Sequence, residues 1–284
     1  MEIKINGKPA DITLENEKTV GEVLSGIQTW LESTGFSVSG LEIDSKSYGS
    51  LSLESAFSLS LEGLSSIDIQ TSGWADLFLE ALTSLLKDLE LYDKTEPEDQ
   101  KNFREHWSLS APALFLKDHD TNLYNAVLNA INNSDVMNIT GTIPVILERI
   151  REIKNPVEEM NAIHPLADEI AKRLEDIPLD MQTGKDGKAA ETITVFSSLV
   201  EKIFRLIFLF KYFKTDIDSI EVLSVNSQEN QNLKDYLGDF STALKELISA
   251  YESKDTILVG DLAEYELAPR LRCLTEVLCM KVKL

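Results

Sequence analysis

Apolar and polar residues alternate with period two over Met1–Ile5 (M-E-I-K-I), the signature of a half-buried strand. Asn6-Gly7 follows, a hairpin signal because both residues tolerate positive φ, and Ala10–Leu14 reads as the returning strand, with Ile12 and Leu14 on one face. Thr19 and Glu22 form a T-x-x-E capping box, which satisfies the free N–H groups at a helix start. Val20, Val23, Leu24, Ile27, Trp30 and Leu31 then recur at helical spacing as one apolar stripe, and Gly35 is placed to end the helix. Gly40–Ile43 reads as a strand and Asp44–Ser47 as a turn. Leu51–Gly63 is rich in Ser and Leu without a clear period, and Ile67–Gln70 reads as a closing strand.

From Trp74 the period changes to that of a helix. Trp74, Leu77, Phe78, Ala81, Leu82, Leu85 and Leu89 form one stripe, and Lys94–Asp99 is a polar break from which a new helix starts. Pro112 interrupts the next stretch. Leu123–Ile131 and Ile143–Ile153 are amphipathic, and Asn155-Pro156 is a cap-and-start pair for a helix that Pro165 should bend or split. Asp180–Lys188 reads as an internal linker. A long helix over about Ala189–Tyr212 is apolar on more than one side, which suits the centre of a bundle. Leu233, Tyr236, Leu237, Phe240, Leu244, Leu247, Ile248 and Tyr251 define another amphipathic helix, and Asp255 is the N-cap expected for the last one. No fixed-period repeat is visible, and roughly seven to nine helices are enough for one bundle core.

A strand, a hairpin, one capped helix and further strands within the first 72 residues resemble a ubiquitin-like β-grasp domain, down to the opening M-x-I-x-I strand. The resemblance covers about a quarter of the chain and rests on element order. Ubiquitin-like modifiers and sulfur carriers act through a free C-terminal Gly-Gly. Here Thr71-Ser72-Gly73-Trp74 stands at that position and the chain continues, so the resemblance implies a docking surface or structural cap and not a carrier. The expected fold class is α+β: a β-grasp (ubiquitin-like) domain over 1–72, able to fold alone, followed by a larger all-α helical bundle domain over 73–284.

Charge narrows the function. Lys and Arg number 27 against 48 Asp and Glu, a net charge of -21 over 284 residues. Such a surface repels phosphate backbones and anionic membranes, so nucleic acid and membrane partners are not expected. Both parts are acidic: residues 1–73 hold 11 acids and 4 bases. Hydrophobic residues at 43% and charged ones at 26% are globular values. The densest apolar stretch, Ile203–Phe213, is broken by Arg205 and Lys211 and falls short of the roughly 20 residues of a membrane span. No signal-peptide core follows Met1, and a cytoplasmic location is expected. Cys273 and Cys279 stand six residues apart on one expected helix, about 600° of rotation, so they can neither pair nor chelate there and read as small buried side chains.

Candidate chemistry is sparse. Asp118-His119-Asp120 is the most metal-like cluster, but adjacent side chains diverge on regular structure, and Asp118 or Asp120 as a helix cap is the better reading. His106 and His164 are isolated. Gly184-Lys185-Asp186-Gly187-Lys188 lacks phosphate-loop spacing and reads as a flexible polar linker. The densest acid-and-aromatic patch is Asp261, Glu264, Tyr265 and Glu266. Asp261 and Glu264 lie one turn apart and could chelate a cation or act as an acid/base pair, but no nucleophile or histidine matches them, and a partner-facing surface with Tyr265 as anchor is preferred. No catalytic residue, metal or cofactor is expected. The resulting reading is a non-enzymatic cytoplasmic protein–protein interaction module (adaptor, scaffold or chaperone-like), whose partner carries a basic patch. The alternatives are an enzyme with a site of scattered carboxylates and a small-ligand sensor with a pocket in the bundle.

Overall fold

The computed structural model describes every residue except 35, 50–52, 93, 134–138, 140, 214, 218, 226–228 and 283–284. The architecture is α+β, a mixed sheet followed by a mostly helical region. The chain divides into two compact units, Met1–Ile150 and Arg151–Leu284. Among the described residues no helix is long and apolar enough to cross a membrane.

The first unit opens with strands β1 (Glu2–Ile5) and β2 (Lys8–Pro9), helix α1 (Val20–Thr34), strands β3 (Phe36–Ile43) and β4 (Lys46–Gly49), a short helix α2 (Glu54–Phe57) and strand β5 (Ser66–Gly73). The sheet order is β2-β1-β5-β3-β4, with β1 parallel to β5 and the other pairs antiparallel. This is a β-grasp-like arrangement. Both hairpins turn on paired positive φ values, at Asn6 (50°) and Gly7 (75°) and at Asp44 (47°) and Ser45 (70°), the twist-matched geometry of two-residue turns. Each turn is also tied to β5. The Asn6 side chain accepts from Thr71 N (2.9 Å) and donates to Thr71 Oγ1 (2.9 Å), and Asp44 Oδ1 accepts from Ser65 N (3.0 Å) and Ser66 N (2.8 Å). The capping box forms as expected: Thr19 Oγ1 accepts from Glu22 N (3.3 Å), and Glu22 Oε2 accepts from Thr19 N (3.2 Å). Val20, Val23, Leu24, Ile27 and Leu31 pack with Ile3, Leu41, Ile43, Ile67 and Ile69 into the core.

Three expectations for this region change. The returning strand is Lys8–Pro9 and not Ala10–Leu14: residues 10–14 leave the sheet, although Ile12 and Leu14 still pack against the core. Trp30 is 57% exposed, because at ten residues from Val20 it falls on the outermost edge of the stripe, about 80° from its start. Leu53–Gly63, left without a period, holds α2 and a bridge between Thr19 and Ser60. Gly35 and residues 51–52 lie outside the described residues.

Helix α3 (Trp74–Tyr92) starts directly after β5, followed by α4 (Pro97–His106), α5 (Ala111–His119) and α6 (Thr121–Asn132). Pro97 and Pro112 both sit in a first turn, where a missing N–H costs nothing. Asp120 caps α6, accepting from Leu123 N at 3.0 Å. Its other oxygen takes Arg149 Nε at 3.0 Å. His119 packs against Phe115 with the rings tilted and their centroids 4.3 Å apart, and His106 holds the Asn102 carbonyl at 2.9 Å.

Helix α7 (Ile143–Lys154) carries the boundary between the units. The second unit continues with α8 (Pro156–Glu175), α9 (Ile177–Gln182), α10 (Asp186–Tyr212), a small hairpin of β6 (Glu221–Leu223) and β7 (Asn230–Asn232), α11 (Leu233–Glu252), α12 (Thr256–Asp261), a π-helical turn over Leu262–Leu267 and α13 (Ala268–Lys281). Helix α10 buries ten side chains from Ala189 to Phe210 on several sides, as its all-round apolarity predicts. Pro165 does not split α8, which runs unbroken through it. The residue and Asn161, whose carbonyl it deprives of a donor, are both exposed, so water can satisfy that group. Asp180–Lys188 is not a linker: α9 and α10 meet within it. Asp180 is only 3% exposed and is paired with Lys188 Nζ at 2.8 Å and Lys185 Nζ at 3.9 Å. The two cysteines are free and half-buried, and burial raises both thiols above their usual range. In the same unit, Glu152, 1% exposed, accepts two parallel hydrogen bonds from Arg205, from Nη2 at 2.8 Å and Nε at 2.9 Å.

Candidate functional site

The acid-and-aromatic patch lies on the helical segment that follows α11. That helix stops in a double-hydrogen-bonded loop: Lys254 N donates to Tyr251 O (3.2 Å) and Asp255 N to Ala250 O (2.9 Å). The geometry puts Lys254 at φ 58°, a position that favours glycine. Lys254→Gly is therefore expected to raise stability by about 0.5–1 kcal/mol, since relief of the left-handed strain exceeds glycine's extra chain entropy. Urea denaturation of the two proteins checks it. Asp255 then caps α12, as its sequence position predicts, by accepting from Leu258 N at 3.0 Å.

Helix α12 runs into α13 through the π-turn, where Ala268 N reaches back five residues to Ala263 O. Pro269 explains the widening. It has no N–H and its ring would collide with the carbonyl one α-turn back, and a wider turn removes the conflict. The distorted turn is fastened from inside. Arg270, 4% exposed, donates to Glu266 O at 2.9 Å and pairs with the Glu266 carboxylate, while buried Tyr236 donates to Arg270 O at 2.9 Å. Burial, more than the neighbouring Cys273, raises the Tyr236 phenol well above its usual range. Gly260 lets α9 approach closely: a Cβ there would meet the Pro178 ring at 3.2 Å.

This packing sorts the four sequence candidates. Val259, Leu262, Ala263 and Leu267 are buried, which turns Ile257, Asp261 and Tyr265, each four residues from the next, to solvent. Tyr265 is 61% exposed, and the Glu264 carboxylate beside it holds its phenol above the usual range. Glu266 does not share this face, because Arg270 occupies its carboxylate. Among the described residues, no group of three or more His, Cys, Asp and Glu is placed to hold a metal ion.

Sequence reasoning missed several exposed apolar neighbours in the chain: Ile257 (76%), Ile248 (57%), Leu258 and Tyr251. Ile248 and Tyr251 had been assigned to the buried stripe of α11. The structure gives that stripe to Leu233, Tyr236, Phe240, Ala243, Leu247 and Ala250, so both are corrected to the surface. A stricter i, i+3, i+4, i+7 count from Tyr236 would have separated them.

Residues 1–73 match the TP0873 N-terminal domain family. Residues 158–277, which include α12, the π-turn and most of α13, match a domain of unknown function, DUF8042. An uncharacterized protein of Treponema pallidum (strain Nichols) is 32% identical over 104 residues, 36% of this chain and 48% of that protein. The chain thus spans about half the length of that relative. No solved structure matches.

Proposed function

We propose that the protein is a non-enzymatic, cytoplasmic protein–protein interaction module whose partner carries a basic patch. The observation that carries this reading is the outward face of Ile257, Asp261 and Tyr265, an exposed apolar and aromatic row set among carboxylates on a helix buried along its other side. Aromatic anchors rimmed by charge suit an interface core and rim. The net charge of -21 favours cationic partners and speeds encounter more than it deepens affinity. In this reading residues 1–72 form a ubiquitin-like β-grasp domain that serves as a second docking surface or structural cap. The outer side of its sheet is polar, with Lys4, Glu42, Asp68 and Gln70 alternating with the buried strand positions.

The test is capture from the native cytoplasm followed by kinetics with the purified partner. The association rate is expected to fall between low salt and about 0.15 M, where screening shortens to roughly 8 Å. Tyr265→Ala is expected to raise the dissociation rate about tenfold or more, as an interface anchor does, with unchanged folding. A salt-independent association rate, or a Tyr265→Ala complex that dissociates like the wild type, would sink the reading.

A further inference from the structure

β2 ends at Pro9, and beyond one bond from Ala10 N to Ile3 O (2.9 Å) residues 10–17 run beside α1 outside the sheet; a half-open groove of about 660 Å3 lies between them. Its apolar lining includes Ile5, Ile12, Leu14, Val23 and Ile27, with Trp30 as one wall. The volume is that of a ligand site and holds a few large side chains.

Gly26 is the informative residue. It sits in the middle of α1 and lines this groove. Glycine inside a helix is unfavourable relative to alanine, and close packing usually explains it. Gly21, one and a half turns earlier, is such a case: a Cβ there would come within 2.9 Å of the Phe57 carbonyl. A Cβ at Gly26 would meet nothing within 4 Å. A side chain at position 26 would therefore project into the groove, so this is the position from which the groove can be filled without disturbing the fold.

The charge on the lining has one sign. Asp11 and Glu17 line the groove, and among the described residues no basic side chain does. Backbone N–H groups of Glu17 itself, of Glu15 (2.8 Å) and of Asn16 (3.1 Å) face the Glu17 carboxylate and hold it below the usual carboxylate range. A second copy of this chain, with a net charge of -21, is a poor occupant of an acidic site. Strand addition at the sheet edge is also disfavoured, since Pro9 on β2 has no N–H to offer.

We propose that the groove between α1 and residues 10–17 binds a peptide segment of a partner protein that presents a large apolar side chain flanked by Lys or Arg. The apolar side chain enters beside Trp30 over Gly26, and the base pairs with Asp11 or Glu17 at the rim. This site is separate from the Tyr265 face and does not depend on it.

The probe is a phage-displayed library of random twelve-residue peptides selected against the intact chain. Enrichment of Trp, Phe or Leu beside Lys or Arg is expected. The leading peptide, made synthetically, should bind Gly26→Leu at least tenfold more weakly and Asp11→Lys several-fold more weakly, and should fail when its Lys and Arg are replaced by Glu. Gly26→Leu should melt no lower than the wild type, so lost binding cannot be read as lost folding. Tyr265→Ala should bind the peptide like the wild type, which separates this result from the fate of the other face. No enrichment, peptides without basic residues, or full affinity for Gly26→Leu would overturn the proposal. So would an uncharged compound such as indole binding at Gly26 where no peptide does, which would make the groove a small-molecule pocket.

Discussion

Arg205→Leu is expected to destabilise the second unit by about 3–5 kcal/mol, the cost of breaking a buried ion pair from one side. Glu152 is 1% exposed, and its two oxygens accept Arg205 Nε and Nη2 at 2.9 and 2.8 Å. Without the guanidinium, that buried carboxylate loses two charge-assisted hydrogen bonds, and water cannot freely replace them. The double variant Glu152→Leu, Arg205→Leu should recover most of the loss, because removing both charges also removes the desolvation penalty. Urea denaturation of the single and double variants measures the difference. A single variant within about 1 kcal/mol of wild type would show that water or another donor already satisfies the Glu152 carboxylate.

Asp120→Ala is expected to cost about 3 kcal/mol in the first unit, through two effects that a second substitution separates. One carboxylate oxygen caps α6 at Leu123 N, and losing a cap costs about 1 kcal/mol. The other oxygen pairs with Arg149, which is 7% exposed, so its loss weakens the hold on a buried cation. Asp120→Asn keeps an oxygen for the cap and removes the charge, and should fall between wild type and Asp120→Ala. Equal stability of the Asn and Ala variants would mean that the cap contributes nothing and the ion pair carries the whole effect.

Local signals in this chain were legible wherever one or two residues decide a backbone geometry. Asn6-Gly7, the Thr19–Glu22 capping box, the Asp255 cap and the long stripe of α10 all appear where the pattern puts them, because turns, caps and amphipathic faces depend on nearest neighbours. The α+β division was legible for a related reason, since a change of hydrophobic period from two to 3.6 is carried along the chain itself. The packing that holds Tyr265 outward was not. It depends on Pro269 widening a turn, on Arg270 and Tyr236 fastening it, and on Gly260 admitting Pro178, contacts between residues distant in sequence. The buried Asp180 with its two lysines looked like a linker for the same reason: a polar run gives no sign that two helix ends enclose it. Sequence by itself determined the caps, the Asn6-Gly7 turn and the long helices, whereas the short pieces, β2, α2, α9 and the β6–β7 hairpin, were set by what packs around them. Tertiary packing decided which side of each helix faces solvent, because burial depends on what lies opposite, and on that choice rest both the Tyr265 face and the groove at Gly26.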